Sequence, residues 1–336
     1  MLFSVREFEA LARDRLPRYA YDFIAGGADD EVTVRANERA FARLRLLPRV
    51  LRGHAQRDLC TTLFGNEVTT DPQGEQATAR AAAKAGTVMI ASMASTVSIG
   101  DIAKAGGADL VLWFQAYIQS DIGITRTLIR RAEDAGCRAL VVTVDSPVFG
   151  WRERDNRNGF HDLPPGMHCE NMRDLTADGG VRDIEMVPGL SWNHIDRVVA
   201  MTDLPIVLKG VLHPADALTA VEHGVSGLFV SNHGGRQLDT VVAAIDAVAD
   251  VAAAVDVPVL VDGGVRRGTD VVKALALGAR AVGIGRPVLW GLAARGEEGV
   301  TEVLELLRAE TDRAFAFCGC ASVDHVACDL VREVRC

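Results

Sequence analysis

From about residue 87 onward, short apolar runs alternate with longer stretches of helical periodicity. Each short run is almost wholly apolar, which is typical of a parallel strand covered on both faces. The predicted strands cover residues 87–92, 110–116, 139–144, 205–209, 227–231, 258–262 and 281–285, and helical stretches include 124–135, 214–223, 240–254 and 269–277. Repeated βα units of this kind indicate a doubly wound sheet or a (β/α)8 barrel.

Polar residues at the carboxyl ends of many strands favour the barrel, because barrel enzymes build their sites there. These residues are Gln115, Asp145, Lys209, His233, Asp262 and Arg286. A dinucleotide-binding sheet would carry GxGxxG after its first strand, where this chain has no such motif. We therefore predict an α/β protein with a TIM barrel in one domain over residues 1–336. Helices would occupy residues 1–58 and the barrel 59–336, with a Pro- and Gly-rich, lid-like loop at 146–195.

Charge and composition exclude some classes of partner and predict the cellular location. The 336 residues carry a formal net charge of -9, which argues against nucleic acid as the main partner. No apolar run reaches the roughly 18 residues of a membrane span, and residues 1–16 form an amphipathic pattern rather than a secretion signal. The seven cysteines are odd in number and scattered, so we predict a cytoplasmic protein with reduced thiols and no metal site.

The run of residues 231–237, SNHGGRQ, follows a predicted buried strand. Its His233 and Arg236 are separated by two glycines, which allow a sharp turn and the close approach of a flat ligand. A histidine with a pKa near neutrality can take up a proton, and an arginine can bind a carboxylate through two hydrogen bonds. This pair predicts chemistry at the α-carbon of an acid.

Two glycine-rich segments near the end of the predicted barrel carry arginines: residues 262–270 and 283–287. Exposed backbone N–H groups before a helix, with arginines nearby, predict a phosphate-binding site in the place where barrels often have one. The alternative is that both segments are ordinary strand-to-helix turns with solvated arginines.

Four further residues are candidates for chemistry. Lys209 ends a strand, where it could serve as a Schiff-base nucleophile or as a cation beside an electron-accepting ring. Asp145 could stabilise an imidazolium or simply cap a loop. Gln115 and Tyr117 have the same strand parity and face one way, toward a ring edge or a substrate, unless they are ordinary core residues. Arg152 lies in a charged segment that is either a mobile clamp or a solvated surface.

Together these segments resemble the FMN-dependent α-hydroxy-acid oxidase and dehydrogenase family, over nearly the whole chain. The matching runs are Tyr21 to Ala28, Pro72 to Glu75, Trp113 to Gln115, Thr143 to Asp145, Lys209-Gly210, Ser231 to Gln237, Asp262 to Thr269, and Gly285 to Pro287. The SNHGGRQ run is the family's signature and is highly specific.

The resemblance implies FMN at the mouth of the barrel and the oxidation of an L-2-hydroxy acid to a 2-keto acid. Oxygen or another acceptor would reoxidise the flavin, and a homotetramer is implied by analogy. The implied substrate and catalytic residues are His233 as base, Asp145 as its partner, Arg236 and Arg152 as carboxylate clamps, and Tyr117 as a substrate contact. The implied cofactor residues are Gln115, Thr143, Lys209, Ser231, Asp262, Gly264, Arg266, Gly285 and Arg286.

Two substitutions relative to the family's usual pattern concern the substrate side. Phe23 stands where family members often have Tyr, which removes one hydrogen bond to the carboxylate. Met93 stands where glycolate oxidase has Trp, which would leave more room for the substrate. Both changes resemble the hydroxymandelate-oxidase branch, so the sequence predicts an aryl or otherwise bulky 2-hydroxy acid.

A third departure affects the barrel itself. The family normally has an apolar strand before its Pro-Glu-Gly-Glu run, whereas here residues 65–71 lead almost directly into Pro72. Barrel strand one is therefore expected to be shortened or missing, and about seven strands can be read from periodicity. Either residues 60–70 replace the strand, or the barrel is incomplete and binds FMN weakly. Two other functions stay open: a Schiff-base aldolase or synthase using Lys209, and a non-catalytic relative with impaired FMN binding.

Overall fold

In this computed structural model, the structure describes residues 2–63, 66–67, 74–160, 163–164, 166–175 and 178–334. The helices are α1 Val5–Arg15, α2 Arg18–Ala25, α3 Val32–Arg43, α4 Gly74–Ala85, α5 Ile99–Gly106, α6 Ile122–Asp134, α7 Glu153–Arg157, α8 Trp192–Val199, α9 Pro214–Glu222, α10 Ala244–Ala254, α11 Gly268–Ala276 and α12 Arg286–Cys318. The strands are β1 Leu44–Leu46, β2 Thr62–Leu63, β3 Asn66–Glu67, β4 Val88–Ser92, β5 Val111–Ala116, β6 Ala139–Thr143, β7 Ile206–Val211, β8 Gly227–Val230, β9 Val259–Val261, β10 Ala281–Val282 and β11 Val331–Glu333.

Seven parallel strands form the main sheet, in the spatial order β10-β9-β8-β7-β6-β5-β4. Each neighbouring pair is also consecutive in the chain, and helices follow most strands, which is the βα repeat predicted from the apolar runs. The predicted barrel architecture is confirmed, with seven strands in the main sheet of the described residues.

The two faces of the main sheet contribute to two different apolar clusters. Side chains that point into the barrel form a cluster that includes Trp113, Val141, Val207, Phe229 and Leu260. The other face of each strand packs against the surrounding helices in a larger cluster. Because side chains alternate along a strand, the next inward positions toward the carboxyl ends carry the polar residues Ser92, Gln115, Thr143, Lys209, Ser231 and Asp262. The barrel interior is therefore apolar in its deeper part and polar at its mouth, where the strands have their carboxyl ends.

The segment in which barrel strand one was expected is only partly described. Thr62–Leu63 pairs with Asn66–Glu67 in a separate antiparallel sheet, so these four residues do not join the main sheet. Leu63 is buried and packs against the lower interior of the barrel, beside Val88 and Trp113. Residues 64, 65 and 68–73, including the Pro72-Gln73 motif, lie outside the described residues. Within the described ranges, β4 and β10 are the edge strands of the main sheet.

The N-terminal helices are fastened to the mouth of the barrel. The carboxylate of Asp239 accepts hydrogen bonds from the backbone N–H groups of Val32 and Thr33, at the start of α3. The buried side chains of Asn37 and Asn232 exchange two hydrogen bonds of 2.8 Å. These contacts fix α3 against the SNHGGRQ loop and bring the carboxyl end of α2 to the rim of the barrel.

Residues 146–195, predicted as one long loop, contain α7, a short 3-10 helix at Glu170–Met172 and the start of α8. Residues 161, 162, 165, 176 and 177 within it lie outside the described residues. None of the helices in the described ranges has the length and apolar character needed to cross a lipid bilayer.

Candidate active site

The carboxyl ends of the barrel strands open into a cavity of about 640 Å³, within the usual size range of ligand pockets. Its lining contains most of the residues predicted from the sequence: Phe23, Gln115, Tyr117, Thr143, Arg152, Lys209, His233, Arg236, Asp262, Gly264, Arg266, Gly285 and Arg286. Asp145 and Ser231 are not among the lining residues, but each contacts one that is. Met93 is also absent from the lining and lies deeper.

His233 and Asp145 form a close pair at the mouth. The imidazole Nδ1 lies 2.9 Å from Asp145 Oδ1. Burial and the nearby charge of Lys209 lower the pKa of His233, against the opposing effect of Asp145. Burial favours the protonated form of Asp145, but hydrogen bonds from His233 and Ser146 and the charge of Lys209 outweigh it and lower the pKa of this carboxyl. A neutral His233 that donates from Nδ1 leaves Nε2 as a proton acceptor.

The backbone of the SNHGGRQ loop explains how the imidazole is presented. His233, Gly234 and Gly235 all have positive φ values of 55°, 61° and 75°. The backbone N–H of His233 donates to Ser231 Oγ, and that of Gly235 donates to the Asn232 side chain. A left-handed conformation at a histidine is uncommon and occurs mainly where the surroundings enforce it. Here side chains of the same loop hold the turn.

Lys209, Ser231 and Asp262 form a hydrogen-bonded group on three neighbouring strands. Lys209 Nζ donates to Ser231 Oγ at 2.9 Å and lies 3.5 Å from Asp262 Oδ2, while Ser231 Oγ donates to Asp262 Oδ1 at 2.6 Å. Burial opposes the charge on Lys209, but Asp262, Asp145 and Tyr117 outweigh it and raise its pKa. The lysine is therefore a cation at neutral pH, held at the floor of the cavity.

Ser92, Gln115 and Thr143 form a second polar row, at the ends of β4, β5 and β6. Ser92 Oγ donates to Gln115 Oε1 at 2.7 Å, and Gln115 Nε2 donates to Thr143 Oγ1 at 3.0 Å. Ser92 also lines the cavity and was not singled out from the sequence, although it has the same strand parity as the others. These groups offer a line of donors and acceptors to the edge of a ring.

Two residues that the sequence analysis did not assign, Ser146 and Gln237, connect the catalytic pair to the long loop. Ser146 Oγ donates to Asp145 Oδ1 at 2.9 Å, and the Gln237 amide donates to Ser146 Oγ. The side-chain carbonyl of Gln237 accepts a hydrogen bond from the backbone N–H of Gly150 at 2.9 Å. A Cβ at Gly150 would collide with the backbone of Gln237. Ser146 follows Asp145 and Gln237 ends the SNHGGRQ motif, and these two positions were the available signal in the sequence.

Arg236 and Arg286 place buried positive charge at the cavity wall. Burial, together with Arg152 and Arg286, lowers the pKa of Arg236 to about 9. Burial and Arg266 lower the pKa of Arg286 to about 10. Both remain charged at neutral pH, and a bound anion near either would offset the repulsion between them.

Arg266 is the third buried arginine of the lining. Its side chain lies 3.1 Å from Glu38 and over the ring of Trp290, and its Nε is buried without a hydrogen-bond partner among the described residues. The adjacent Gly264 has φ 86° and approaches the backbone of Asn37 so closely that a Cβ would collide with it. The cavity therefore contains an unsatisfied donor beside a tightly packed glycine turn.

Tyr117, Arg152 and Phe23 also line the cavity. Burial raises the pKa of the Tyr117 phenol, although Lys209 and a hydrogen bond to Ser146 favour its ionised form. Arg152 lies 3.5 Å from Asp155. Phe23 contacts the guanidinium groups of both Arg152 and Arg236.

The position of Met93 after a strand predicted a side chain on the substrate side of the cavity, but the structure places this side chain outside the lining. The side chain is fully buried, and its sulfur accepts the backbone N–H of Tyr117 at 3.0 Å. Through this contact it supports Tyr117, which lines the cavity. In the described residues, no group of three or more His, Cys, Asp or Glu side chains is arranged to hold a metal ion.

A family model described as FMN-dependent dehydrogenase matches residues 12–333. The chain belongs to this family. Among relatives, an L-lactate oxidase of Nostoc sp. is 42% identical, with 95% of each chain covered. The 2-hydroxyacid oxidase 2 of Rattus norvegicus is also 42% identical, with 99% of each chain covered.

Solved structures of this FMN-dependent dehydrogenase family give the same result. A mandelate oxidase superposes with a TM-score of 0.90 at 42% identity, covering 99% of this chain and 98% of the other. An active chimera of (S)-mandelate dehydrogenase with a glycine-to-alanine substitution gives a TM-score of 0.93 at 36% identity, covering 99% and 100%. The protein is thus an FMN-dependent enzyme of the 2-hydroxy-acid oxidase group.

The residues of this chain fit FMN. The cavity wall is apolar at Ile24, Ile90, Phe229, Ile284 and Leu289, as a flat aromatic ring system requires. Buried arginines and an unpaired guanidinium nitrogen supply the positive charge and the donors that a phosphate needs. Apart from its neighbours in the chain, no described residue has a heavy atom within 4 Å of the position that a Cβ would take at Gly285, so a ligand can approach the backbone there.

Proposed function

We propose that this enzyme oxidises a bulky (S)-2-hydroxy acid with an aryl substituent, similar to mandelate, to the 2-keto acid. The cavity supports this because it has apolar residues beside the two arginines, with Phe23, Phe149, Ile184 and Met186 in the lining. Phe23 also replaces a hydroxyl that would favour a small polar acid. The structural relatives that carry the name mandelate oxidase point the same way.

His233 acts as the base in this proposal. Its lowered pKa keeps it neutral at physiological pH, so Nε2 can accept the proton that the substrate loses. Asp145 is ionised and lies 2.9 Å from Nδ1, so it stabilises the imidazolium once the proton has arrived. FMN supplies the acceptor for the two electrons that the substrate releases, and oxygen or another acceptor would then take them up.

The substrate carboxylate binds to Arg236, with Arg152 approaching from the long loop and Tyr117 completing the contact. Arg236 and Arg152 come from different strand ends, so they can hold a carboxylate from two sides. Residues 146–195 act as the lid that carries Arg152, within a single domain formed by the whole chain. The hydrogen bond between Gln237 and Gly150 anchors the start of this lid to the base loop.

The remaining lining residues would hold FMN. Lys209 would supply a positive charge to the flavin ring, with Ser231 and Asp262 holding the lysine in place. Gln115 and Thr143 would offer hydrogen bonds to the ring. Asp262, Gly264, Arg266, Gly285 and Arg286, in the turns after β9 and β10, would hold the ribityl chain and phosphate.

The single observation that carries the proposal is that His233, paired with Asp145, and Arg236 line the same cavity. The test is an absorption spectrum of the FMN-loaded protein during anaerobic addition of (S)-mandelate, (S)-lactate or glycolate. We expect the flavin to bleach fastest with (S)-mandelate and to stay oxidised in His233→Ala. Bleaching by glycolate but not mandelate would exclude an aryl substrate, and no bleaching with any hydroxy acid would exclude the reaction.

The Schiff-base alternative is disfavoured by the state of Lys209. A lysine attacks a carbonyl only as the neutral amine, whereas its two carboxylate neighbours raise the pKa of Lys209. A non-catalytic role would leave the His233–Asp145 pair without a purpose. Failure of borohydride to trap a substrate on Lys209 would support the oxidase.

We also propose that the enzyme assembles as a homotetramer. Val148, Trp151, Leu238 and Val242 are exposed apolar side chains from the long loop and the segment after the base loop, and contacts between subunits would cover them. Light scattering on the purified protein tests the assembly. The cytoplasmic location stays a prediction, and a rice relative is named peroxisomal (S)-2-hydroxy-acid oxidase.

A further inference from the structure

The ring of Phe23 lies beneath both arginines of the substrate clamp. The guanidinium carbon of Arg236 is 4.8 Å from the ring centroid, and that of Arg152 is 5.6 Å away. The two arginines come from different parts of the chain, after β6 and after β8. Phe23 is therefore a point at which the two halves of the clamp meet on a side chain of α2.

The same ring contacts the far end of the lid segment. Phe160 packs edge-on against Phe23, with ring centroids 5.2 Å apart and an interplanar angle of 69°. Tyr19 stacks on the other side of Phe160 at 5.2 Å. Helix α7, which follows Arg152, is thus bounded by two contacts with Phe23: the arginine at its start and Phe160 after its end.

Holding two guanidinium groups close together without an anion is unfavourable. Arg152 contributes to the lowered pKa of Arg236, which is the sign of this repulsion. The face of an aromatic ring carries negative electrostatic potential and attracts cations within about 6 Å of its centroid. The ring therefore offsets part of the repulsion and keeps both guanidinium groups in the geometry that a carboxylate needs.

Hydrogen bonds to the backbone near Phe23 give Arg236 a second restraint besides the ring. One guanidinium nitrogen of Arg236 donates to the backbone carbonyls of Phe23 and Gly26. Arg152 has a different restraint, the carboxylate of Asp155 at 3.5 Å. Because Arg236 is tied to the backbone of α2, a change in the Phe23 side chain is expected to affect Arg152 and the lid more than Arg236.

We propose that Phe23 is a positioning residue that couples carboxylate binding to docking of the lid segment 152–160. This inference rests on the proposed function, because it assigns the two arginines to the substrate carboxylate. The ring holds Arg152 in reach of the carboxylate, and Phe160 holds the end of the same segment on the ring. Carboxylate binding and lid docking then strengthen each other, as any two linked equilibria must.

The test compares Phe23→Leu, Phe23→Tyr and Phe160→Leu in the FMN-loaded protein, with Phe317→Leu as a matched control, because Phe317 is 71% exposed on α12. Titration calorimetry would use phenylacetate, a carboxylate without an α-hydroxyl, and phenylacetamide, its uncharged counterpart. In Phe23→Leu we expect phenylacetate affinity to fall about tenfold, from the loss of two cation–π contacts. Phenylacetamide affinity should change less than about threefold, and Phe23→Tyr, which keeps the ring and adds a hydroxyl donor, should bind phenylacetate at least as tightly as the wild type.

Trypsin cleavage after Arg154 and Arg157 reports on the lid directly. Phenylacetate should slow cleavage in the wild type and in Phe317→Leu, and this protection should be lost in Phe23→Leu and Phe160→Leu. Equal phenylacetate affinity in Phe23→Leu and the wild type would overturn the proposal, as would protection that survives in both leucine variants. Circular dichroism identifies a variant that fails to fold; if Phe23→Leu does so, the loss or survival of protection in Phe160→Leu decides the matter.

The proposed function can fail separately. A wild-type protein that binds phenylacetate but does not bleach with any hydroxy acid would exclude the reaction and leave the Phe23 coupling in place. A wild type that bleaches with mandelate, with no effect of Phe23→Leu on phenylacetate, would exclude only the coupling.

Discussion

Replacing Asp145 by Asn tests the electrostatic role of this carboxylate most directly. The substitution keeps the size of the side chain and removes the charge that lies 2.9 Å from His233 Nδ1. The side chains of His233 and Asp145 are 25% and 11% exposed, so solvent screens the pair only partly. After the substitution, burial and Lys209 both oppose the imidazolium, and no adjacent carboxylate compensates for them.

The size of the effect follows from the geometry. An opposite charge within about 4–6 Å shifts a pKa by about 1–3 units, and each unit corresponds to about 1.4 kcal/mol. The imidazolium in Asp145→Asn is therefore destabilised by about 1.4–4 kcal/mol, and the step that protonates His233 slows by about 10- to 1000-fold.

Stopped-flow absorption under anaerobic conditions measures this step as the rate of flavin bleaching at saturating (S)-mandelate. Asp109→Asn is a suitable control because Asp109 is exposed and precedes β5, at the end of that strand opposite the site. FMN affinity, measured by flavin fluorescence quenching, should be the same in both variants. A fall of less than about threefold in Asp145→Asn, with FMN bound normally, would show that Asp145 does not stabilise the imidazolium.

Three other perturbations have defined outcomes. Because the pKa of His233 is lowered from 6.5, kcat/KM should be flat at neutral pH and fall only as the pH drops through a value below 6.5; a fall that begins above pH 7 would contradict this assignment. Arg286→Met should weaken FMN binding by more than about tenfold in a fluorescence titration, because a charged hydrogen-bonding group is lost; unchanged affinity would remove Arg286 from the phosphate site. Gly210→Ala places a Cβ 2.6 Å from that of Asp145 at φ 108°, so bleaching should slow as in Asp145→Asn while FMN stays bound; a wild-type bleaching rate would show that the backbone adjusts.

Strand periodicity was enough to predict that polar residues meet at one edge of the sheet. Parallel strands place their carboxyl ends at one edge, so Lys209, Ser231 and Asp262 had to meet, and the structure joins them by hydrogen bonds. The same parity includes Ser92, which chemistry alone did not single out because a serine at a strand end is common.

Other parts could not be predicted from a linear pattern. Met93 follows a strand, but its side chain turns into the core and reaches Tyr117 through a backbone hydrogen bond, which depends on packing. The roles of Ser146 and Gln237 depend on hydrogen bonds across 91 positions of the chain. The contacts of Phe23 with two distant arginines likewise exist only once α2 is docked at the mouth.

The carbonyl oxygen of Gly26 accepts hydrogen bonds from both Arg236, at 3.1 Å, and Arg286, at 2.8 Å. One peptide group thus connects the arginine assigned to the substrate with the arginine assigned to the cofactor phosphate. When either arginine turns toward its anion, its own hydrogen bond to the Gly26 carbonyl changes, and the hydrogen bond from the other arginine changes with it. By thermodynamic reciprocity, whatever FMN does to the affinity for the hydroxy acid through this carbonyl, the acid does equally to the affinity for FMN. We therefore expect the apparent dissociation constant of FMN to change with substrate concentration.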